Sequence, residues 1–432
     1  MLLRLTVWLR AGLPALLLCL TACSAPTSLP EPEQQQQAVI KFVAADYSSG
    51  TKPMLEQLVR NFMRENPSIS VQLQVVNWDI IDGVYTSMIS EGDPPDLLNI
   101  NMYARFAAHG LLNDMNTLMS DELKSKLSPR LTFMDRMNGK QYAIPYFATQ
   151  RRLYYHPQLF QQAGIAAPPR TWSELEQDAA KLKQVGVAGF GVDLTENEIP
   201  AYLSYFFYGS GGGWIKDGHW TINSPQNVAG LTYLKRLVDR GLTDAEPTVT
   251  TRDEKQRIMG AGQLGMMISG NYLTTINSRE FPGSHWASSQ IPVRDGQPGM
   301  HFGVQDVLIS FKTDHTNPAA LSKFLDYLYN DEQYEQMVRQ EGMLPVTTTV
   351  ASRMVLQDPS LEQNMNELDQ ALFYPIQQPE WGDIIDMTRK MGDAVLYNGI
   401  TPQAALDRVQ RYAEQQQALY AHSRDIPSDD SP

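Results

Sequence analysis

The sequence contains very little cysteine: of its 432 residues only Cys19 and Cys23 are cysteines, and both lie near the N-terminus. No thiol remains further along the chain for a disulfide, a thiolate metal site or a nucleophilic cysteine. Basic residues are also in deficit, with 35 Lys and Arg against 48 Asp and Glu and a formal net charge of -13. This balance argues against nucleic acid or an anionic membrane surface as a partner.

Long apolar runs are absent beyond the first 22 residues. The run from Ala11 to Leu20 is interrupted by Pro14, is too short to span a bilayer and ends in small residues, as in a cleaved signal peptide. The box Leu20-Thr21-Ala22-Cys23 resembles the bacterial lipoprotein signal, which is cut before a cysteine that is then lipidated. We therefore expect a signal peptide over residues 1–22 and a lipid on Cys23; an ordinary secretory signal with a chance cysteine is the alternative.

Catalytic and metal-binding motifs are scarce. The seven histidines never stand at the i, i+4 spacing of a helical zinc site. The run Gly260 to Gly265 fits the G-x-G-x-x-G spacing, but a dinucleotide loop leaves a strand and opens a helix, whereas here the predicted helix comes first. Tyr208 to Gly212 lacks the first glycine of a nucleophile elbow. We expect no cofactor, no metal and no catalytic residues, and no motif supports an enzyme.

The chain is too long for one compact core, so two or three folding units are expected. Residues 23–37 contain three prolines and four consecutive glutamines and predict an unstructured tether. Strands are then predicted at 39–45, 69–76 and 97–100, with helices at 52–66 and 79–91 between them. This alternation predicts an α/β fold whose sheet is largely parallel and covered on both faces.

One stretch in the first half of the chain connects two bodies. It runs from Asn138 to Leu175 and comprises a glycine turn, an apolar run (143–146), a β-rich run (151–155), a short helix ending at Gly164 and a capped helix. Together with the runs at 92–98 and 106–112, it resembles the extracellular solute-binding proteins of ABC importers, specifically the carbohydrate-binding group typified by maltodextrin-binding proteins. The resemblance covers about residues 38–420.

The resemblance implies a two-lobed α/β fold of the periplasmic-binding-protein type II, in which both lobes are discontinuous and hinge crossings join them. The expected segments are a signal peptide at 1–22, a tether at 23–37, a first lobe at 38–147 and 291–332, a second lobe at 148–290 and 333–422, and a polar tail at 423–432.

The function implied is that of a monomeric lipoprotein on the extracytoplasmic face of the membrane. It would capture a mono-, di- or oligosaccharide between its lobes, close by a hinge and deliver the ligand to ABC permease subunits. A secreted glycan hydrolase, a binder of a polyol or glycerophosphate-type solute, and a binding module of a sensor or adhesion complex are the alternatives.

A sugar site needs aromatic planes for stacking and fixed polar groups for the hydroxyls. By resemblance, the first lobe and hinge would contribute Asp46, Tyr47, Asn101 and Thr149, and the second lobe would contribute Tyr202, Trp214, Tyr272 and Trp381. Asn271, Gln305, Asp306 and Trp78 are further candidates. Tyr272 and Trp381 lie in motifs whose family counterparts carry a stacking aromatic.

Each candidate has a structural alternative. Tyr202 could belong to a helix core, Trp214 could cover a glycine turn, and Asp46 and Asp306 could be caps. Trp78 could face either the cleft or the core. The chain also departs from the maltodextrin-binding group, which has a Trp where Asn101 stands and a Glu where Thr149 stands. Both departures argue against a maltodextrin ligand. A different mono- or disaccharide, a polyol or its phosphate is equally consistent with the sequence, although no arginine cluster for a phosphate stands out.

Overall fold

The computed structural model describes residues 37–195, 198–397 and 399–425. The predicted signal peptide at 1–22, Cys23 and the tether up to residue 36 lie outside the described residues, as does the tail beyond residue 425. The last described helix, Pro402–Asp425, extends past residue 423, where the polar tail was predicted to start. Within the described ranges, no helix combines the length and apolar character that a membrane crossing requires.

Strands and helices alternate up to residue 100, as predicted, and helices dominate later. The described strands are β1 Ala38–Asp46, β2 Ile69–Asn77, β3 Leu97–Ile100, β4 Arg136–Met137, β5 Lys140–Gln141, β6 Ala143–Tyr155, β7 Ala188–Gly191, β8 Ile215–Lys216, β9 His219–Trp220, β10 Leu264–Gly270, β11 Ala287–Ser289 and β12 Phe302–Ile309. The described α-helices are α1 Thr51–Glu65, α2 Trp78–Ser90, α3 Ala104–Ala108, α4 Asp121–Lys126, α5 Pro129–Met134, α6 Pro157–Gln162, α7 Trp172–Gln184, α8 Ile199–Gly209, α9 Pro225–Asp239, α10 Arg252–Gly260, α11 Leu273–Glu280, α12 Pro318–Leu328, α13 Asp331–Glu341, α14 Thr348–Gln357, α15 Ser360–Asp369, α16 Trp381–Tyr397 and α17 Pro402–Asp425.

The principal sheet has the strand order β2-β1-β3-β12-β6-β10-β7, with β11 paired to β6. β1 is parallel to β2 and β3, and β10 is parallel to β7. β12 and β6 run antiparallel to their neighbours at the centre of the sheet. The prediction of a largely parallel sheet is thus correct at β1 to β3 and wrong at the centre, because β6 and β12 are adjacent connectors of opposite direction and not members of β-α-β units.

β6 is the strand that links the two ends of this sheet. Its first half pairs with β12, from Ala143 with Ile309 to Arg151 with Phe302, and its second half pairs with β10 and β11. The sequence predicted two separate runs here. They form one strand of 13 residues.

Two helices that approach the centre of the molecule begin with a capping box. At α7, the Thr171 hydroxyl accepts from the backbone N–H of Glu174, whose carboxylate accepts from the backbone of Thr171. Thr251 and Glu254 form the same box at α10. Because a capping box satisfies otherwise unpaired N–H groups, it fixes where the helix begins. The box at Thr251 fixes Arg252 and the residue after it in the first turn of α10.

The boundaries of the two lobes stay predictions, and two sets of contacts bear on them. The backbone N–H of Trp172 donates to the carbonyl of Val293 at 2.9 Å, which joins Val293 to α7. Helix α13 packs against α1 and α12, and the Tyr334 hydroxyl on α13 donates to the carbonyl of Tyr146 at 2.6 Å. We propose that residues 291–301 belong with the second lobe and residues 333–341 with the first.

Candidate functional site

A cavity opens where the carboxyl ends of strands from both ends of the sheet meet. β1 and β2 end in register at Asp46 and Asn77 and are followed by Tyr47 and Trp78, while Asn101 follows β3. Carboxyl ends of parallel strands at a change of topology are where α/β proteins commonly bind ligands. The space between these strand ends and the facing elements measures about 1300 Å³, including its open mouth.

The opposite wall comes from β7, β10 and three helices. Asp193 follows β7, Tyr272 follows β10, and Glu198, Arg252 and Ile385 come from the starts of α8 and α10 and from α16. Thr149 and Arg151 on β6 and Asp306 on β12 form the floor. Of the residues predicted from the sequence, the following line this cavity: Asp46, Tyr47, Trp78, Asn101, Thr149, Tyr272 and Asp306.

Three predicted aromatic residues do not reach the cavity and lie in the core beside it. The Tyr202 hydroxyl donates to the carbonyl of Gly191 at 2.9 Å, and the Trp214 indole donates to the Ser204 hydroxyl at 2.8 Å. Trp381 is 3% exposed and stacks on Trp220, with ring centroids 6.3 Å apart and an interplanar angle of 5°. Tyr202 thus lies in a helix core, Trp214 packs between Phe207 and Trp381, and of Trp381 and its neighbour only Gly382 lines the cavity.

Two predicted polar residues also lie outside the cavity, because other protein groups hold their side chains. Gln305 is buried, and its amide donates to both carboxylate oxygens of Asp135, at 2.8 and 2.9 Å. Asn271 accepts from the backbone N–H of Gln150 at 3.0 Å and donates to the carbonyl of Gly342 at 2.7 Å. Asn271 therefore ties β6 to the segment that follows α13.

Replacing Asn271 by Ala is expected to lower the free energy of unfolding by about 1–3 kcal/mol, since it leaves the Gln150 N–H and the Gly342 carbonyl without this partner. Urea unfolding followed by tryptophan fluorescence measures the change. Asn116→Ala, at an exposed position, is the control and should change stability by less than about 0.5 kcal/mol. Equal effects of the two substitutions would show that the Asn271 side chain does not hold these segments together.

Aromatic rings stand on both sides of the cavity. Tyr47 makes edge-to-face contacts with Trp78, at 5.7 Å between centroids, and with Phe147, at 5.2 Å. Its hydroxyl donates to the Asn99 carboxamide oxygen at 2.9 Å. Trp78 is half-buried, so part of its ring is accessible from the cavity. Tyr374 lines the facing wall and packs on Trp381, with centroids 5.9 Å apart.

A buried charge cluster surrounds Tyr272. Glu198 Oε1 lies 2.9 Å from Arg252 Nη1 and 3.5 Å from Arg151 Nη2, and Arg151 also donates to the Tyr272 hydroxyl at 3.2 Å. The guanidinium carbons of Arg252 and Arg151 lie 5.5 and 6.0 Å from the centroid of the Tyr272 ring. Tyr272 is only 6% exposed, so little of its ring is open to a ligand. Glu198 thus serves as a counter-ion of two arginines, and Asp253 is a second counter-ion of Arg252 at 3.2 Å.

The sequence did not point to Arg151, Glu198 or Arg252. Arg151 is two residues from the predicted Thr149, and the side chains of a strand alternate, so both positions face the same side of β6. That spacing could have indicated Arg151. The capping box at Thr251 could have placed Arg252 at a helix start, but no local signal brings Glu198 to either arginine.

Several carboxyl groups of the cavity have raised pKa values. Burial raises the pKa of Asp306 to about 7, against the opposing effects of the Tyr47 hydroxyl and the charges of Arg151 and Arg252. Burial, together with the charge of Glu198, raises the pKa of Asp193 to about 6. These carboxyls change charge near neutral pH, so the charge of the cavity depends on pH there.

The Asp306 carboxyl is expected to make stability fall as pH rises. Its folded pKa of about 7 lies above the ordinary value of 3.8, so between these values the folded chain keeps a proton that the unfolded chain has lost. The resulting contribution to unfolding free energy falls by up to about 1.4 kcal/mol per pH unit over this window and is constant above it. The Asp306→Asn variant lacks this pH-dependent contribution. The difference between its unfolding free energy and that of the parent chain should therefore shift in favour of the variant from pH 5 to pH 8.

Urea unfolding of both chains at the two pH values measures that relative stability. Asp121→Asn, at a side chain fully in solvent, is the matched control for the loss of one carboxylate. A relative stability of Asp306→Asn that stays flat across the window would contradict a raised pKa for Asp306.

No three His, Cys, Asp or Glu side chains within residues 37–195, 198–397 and 399–425 are arranged to hold a metal ion. The cavity is instead lined by carboxylates, guanidinium groups, hydroxyls, amides and aromatic rings. These are groups that donate and accept hydrogen bonds and stack on apolar faces, and together they can bind a small polar solute.

Known proteins share this architecture. A putative binding protein of Brucella abortus (strain 2308) is 30% identical over 373 residues, which cover 85% of this chain and 90% of the relative. The mannitol-binding protein of Pseudomonas aeruginosa is 29% identical over 177 residues, 40% of each chain. The maltose-bound structure of T. maritima MalE3 superimposes with a TM-score of 0.77 at 21% identity, covering 88% of this chain and all of that one.

The T. maritima protein shows that the fold is that of a two-lobed binding protein, as the sequence predicted. Residues 43–335 match the family described as bacterial extracellular solute-binding protein. This match spans more than half of the chain. The similarity to the Brucella binding protein covers nearly the full length of that relative. The chain therefore belongs to the bacterial extracellular solute-binding proteins.

Proposed function

We propose that this protein is the receptor of an ABC importer, that it captures a small carbohydrate in the cavity, and that it delivers the ligand to permease subunits. The single observation that carries the proposal is the lining of the cavity, which combines the rings of Tyr47, Trp78 and Tyr374 with carboxylates and amides from both walls. A sugar has apolar C–H faces and a hydroxyl rim, and these two kinds of group match them. The mannitol and maltose named for the two relatives support the same ligand class.

Ligand binding would act by a shift of population between open and closed forms. Asp46 and Trp78 stand on one wall, and Asp193 and Tyr374 stand on the other. A ligand touches both walls only when they are close together, so its greater affinity for the closed form stabilises closure. The segments between the walls, β6 and β12, are continuous strands on which such a hinge would operate.

The proposed setting is extracytoplasmic, with the protein acting as a monomer. The lipoprotein box at Leu20 to Cys23 supports a lipid anchor on Cys23, and the family description places these proteins outside the cytoplasm. We further propose that the protein is a binder and not a hydrolase, because its family consists of solute-binding proteins.

A phosphate-bearing solute fits the cavity poorly. Arg151 and Arg252 already share the counter-ion Glu198, and Arg105 donates to the Tyr85 hydroxyl at 3.1 Å. A phosphate binds best to guanidinium groups whose charge and N–H groups are free for it, and the Glu198 carboxylate and the Tyr85 hydroxyl already occupy part of these donors. A neutral sugar or polyol is therefore favoured over a glycerophosphate-type solute.

The proposal is tested by following the thermal unfolding of the full chain in detergent, using tryptophan fluorescence, with mono- and disaccharides, polyols and glycerophosphodiesters. A ligand that binds only the folded state stabilises it by RT ln(1 + [L]/Kd), about 2.7 kcal/mol at a concentration one hundred times Kd. We expect a saccharide or polyol to raise the melting temperature, and Trp78→Ala to weaken its binding about tenfold or more.

Trp286→Ala is the matched control, because Trp286 is also half-buried but packs on Phe281 away from the cavity. It should leave the affinity unchanged. If no saccharide or polyol shifts the melting temperature, the proposal is wrong. Release of product from a glycan mixture in that case would favour the hydrolase alternative.

A further inference from the structure

The cavity carries a strong excess of negative charge. Among the described residues, its lining contains eight carboxyl groups, from Asp46, Asp79, Asp82, Asp193, Glu198, Asp253, Asp306 and Asp386, and three guanidinium groups, from Arg105, Arg151 and Arg252. With its pKa of about 7, Asp306 is about half protonated at pH 7, and the ionised carboxylates still outnumber the guanidinium groups. Hydroxyls of a neutral sugar can be satisfied by uncharged amides and alcohols as well as by carboxylates. The lining is therefore more acidic than a neutral ligand requires.

Two pairs of these carboxylates face each other across the cavity. Asp46 ends β1 on one wall, and Asp253 lies in the first turn of α10 on the other, where its Oδ1 also accepts from Arg252 Nε at 3.2 Å. Asp82 on α2 and Asp386 on α16 form a second pair. Burial, together with the charge of the facing partner, raises the pKa of Asp46 and of Asp82. The two walls thus repel each other when all four groups are ionised.

Three carboxylate oxygens of the lining have no hydrogen-bond partner among residues 37–195, 198–397 and 399–425. They are Oδ1 of Asp46, Oδ2 of Asp193 and Oε2 of Glu198. Asp193 and Glu198 are only 1% and 5% exposed, so water can satisfy these oxygens only from the cavity side. A buried acceptor without a donor is unfavourable, and charged acceptors form their strongest hydrogen bonds with charged donors.

We propose that the ligand is an amino sugar or amino polyol, and that its protonated amine lies between Asp46 and Asp253. This inference rests on the proposed function. An ammonium group supplies three donors and the positive charge that the lining lacks. The hydroxyls and C–H faces of the ligand bind the amides and aromatic rings of the cavity. The arginines do not supply all of this charge. Arg151 and Arg252 share Glu198, and Arg252 also pairs with Oδ1 of Asp253 at 3.2 Å. The three guanidinium groups of the lining remain fewer than its eight carboxyl groups.

The same charge arrangement would couple amine binding to closure. Without a ligand, the facing carboxylates oppose the approach of the two walls. A cation between Asp46 and Asp253 replaces this repulsion with attraction to both. Since the attraction to both walls exists only when they are close, an amine raises the differential affinity for the closed form more than a hydroxyl at the same position does.

The test compares ligands that differ in one group. Isothermal titration calorimetry of the full chain in detergent at pH 7 measures Kd for glucosamine and glucose, galactosamine and galactose, and 1-amino-1-deoxysorbitol and sorbitol. N-acetylglucosamine is added as a larger neutral counterpart. We expect at least one amine to bind tenfold or more tightly than its hydroxyl partner, which corresponds to about 1.4 kcal/mol.

The charge-removing variant Asp253→Asn should reduce this amine preference about tenfold, while Asp121→Asn, exposed and remote from the cavity, should retain it. If neutral sugars or polyols bind as tightly as their amines, the inference is wrong and the carbohydrate-receptor proposal stands. An amine preference that Asp253→Asn leaves unchanged would also contradict the assigned position. If no compound of either kind binds, both proposals are wrong.

Discussion

Replacing Glu198 by Gln is expected to lower the free energy of unfolding by about 3–5 kcal/mol, because it removes the counter-ion of buried guanidinium groups. The side chains of Glu198 and Arg151 are each 6% exposed, so water compensates the Arg151 charge only weakly when the carboxylate is lost. Arg252 is 23% exposed and keeps Asp253 as a partner, so most of the expected loss comes from Arg151. Urea unfolding followed by tryptophan fluorescence measures the loss.

The matched control for Glu198 is Glu122→Gln, since Glu122 also pairs with a basic side chain, Lys126 at 3.7 Å, but is 85% exposed. Exposed pairs of this kind contribute about 0–1 kcal/mol. Adding Arg151→Gln to Glu198→Gln should restore part of the lost stability, because Arg151 is the arginine left without a carboxylate, whereas Arg252 keeps Asp253 at 3.2 Å. A loss for Glu198→Gln as small as that for Glu122→Gln would show that the cluster is solvated in solution.

Trp381→Ala is expected to cost about 3–5 kcal/mol of stability and to leave ligand affinity nearly unchanged. The Trp381 ring packs between Trp214, Trp220 and Tyr374, with centroid distances of 4.9, 6.3 and 5.9 Å. Truncation leaves a large void in this cluster. The ring does not line the cavity, so stability and binding should separate.

The stability of Trp381→Ala is read from urea unfolding, and its affinity from titration with whichever sugar gives the largest shift in the thermal screen. Trp381→Phe, which retains an aromatic ring, should lose less stability. Trp286→Ala provides the comparison for a half-buried tryptophan outside this cluster. A loss of sugar binding without a loss of stability would return Trp381 to the role that the sequence suggested, that of a stacking plane.

The local pattern of the chain predicted the first part of the fold closely. The strands and helices expected between residues 39 and 100 lie within one or two residues of β1, α1, β2, α2 and β3. Each is bounded by a turn residue or a proline and has a clear apolar period, so local signals suffice. β6 was divided in the prediction because Gln150, Arg151 and Arg152 interrupt its apolar run. Those polar residues are tolerated in the strand because they face the cavity or pair with side chains of distant segments.

The residues of the candidate site also fall into those that the local sequence predicts and those that it does not. Asp46, Tyr47, Trp78 and Asn101 follow strands, and the parallel arrangement of β1 to β3 brings strand ends together, so their place on the cavity wall could be predicted. Glu198 meets Arg151 only through the packing of α8 against the sheet, and no local pattern carries that information. Tyr202, Trp214 and Trp381 are the opposite case, because the sequence predicted them for the site and they lie in the core. A ring in a family motif is as useful to a core as to a ligand, and only the tertiary packing distinguishes the two.

The position of β12 between β3 and β6 determines when the chain can fold. β3 has no partner on its second edge until residues 302–309 have been made, and the first half of β6 waits for the same strand. Ala143 and Ile309 pair although most of the second half of the cavity is encoded between them. Contacts of such long sequence separation carry a large loop-closure entropy and slow folding. The centre of the sheet therefore cannot form until about three quarters of the chain has been synthesised.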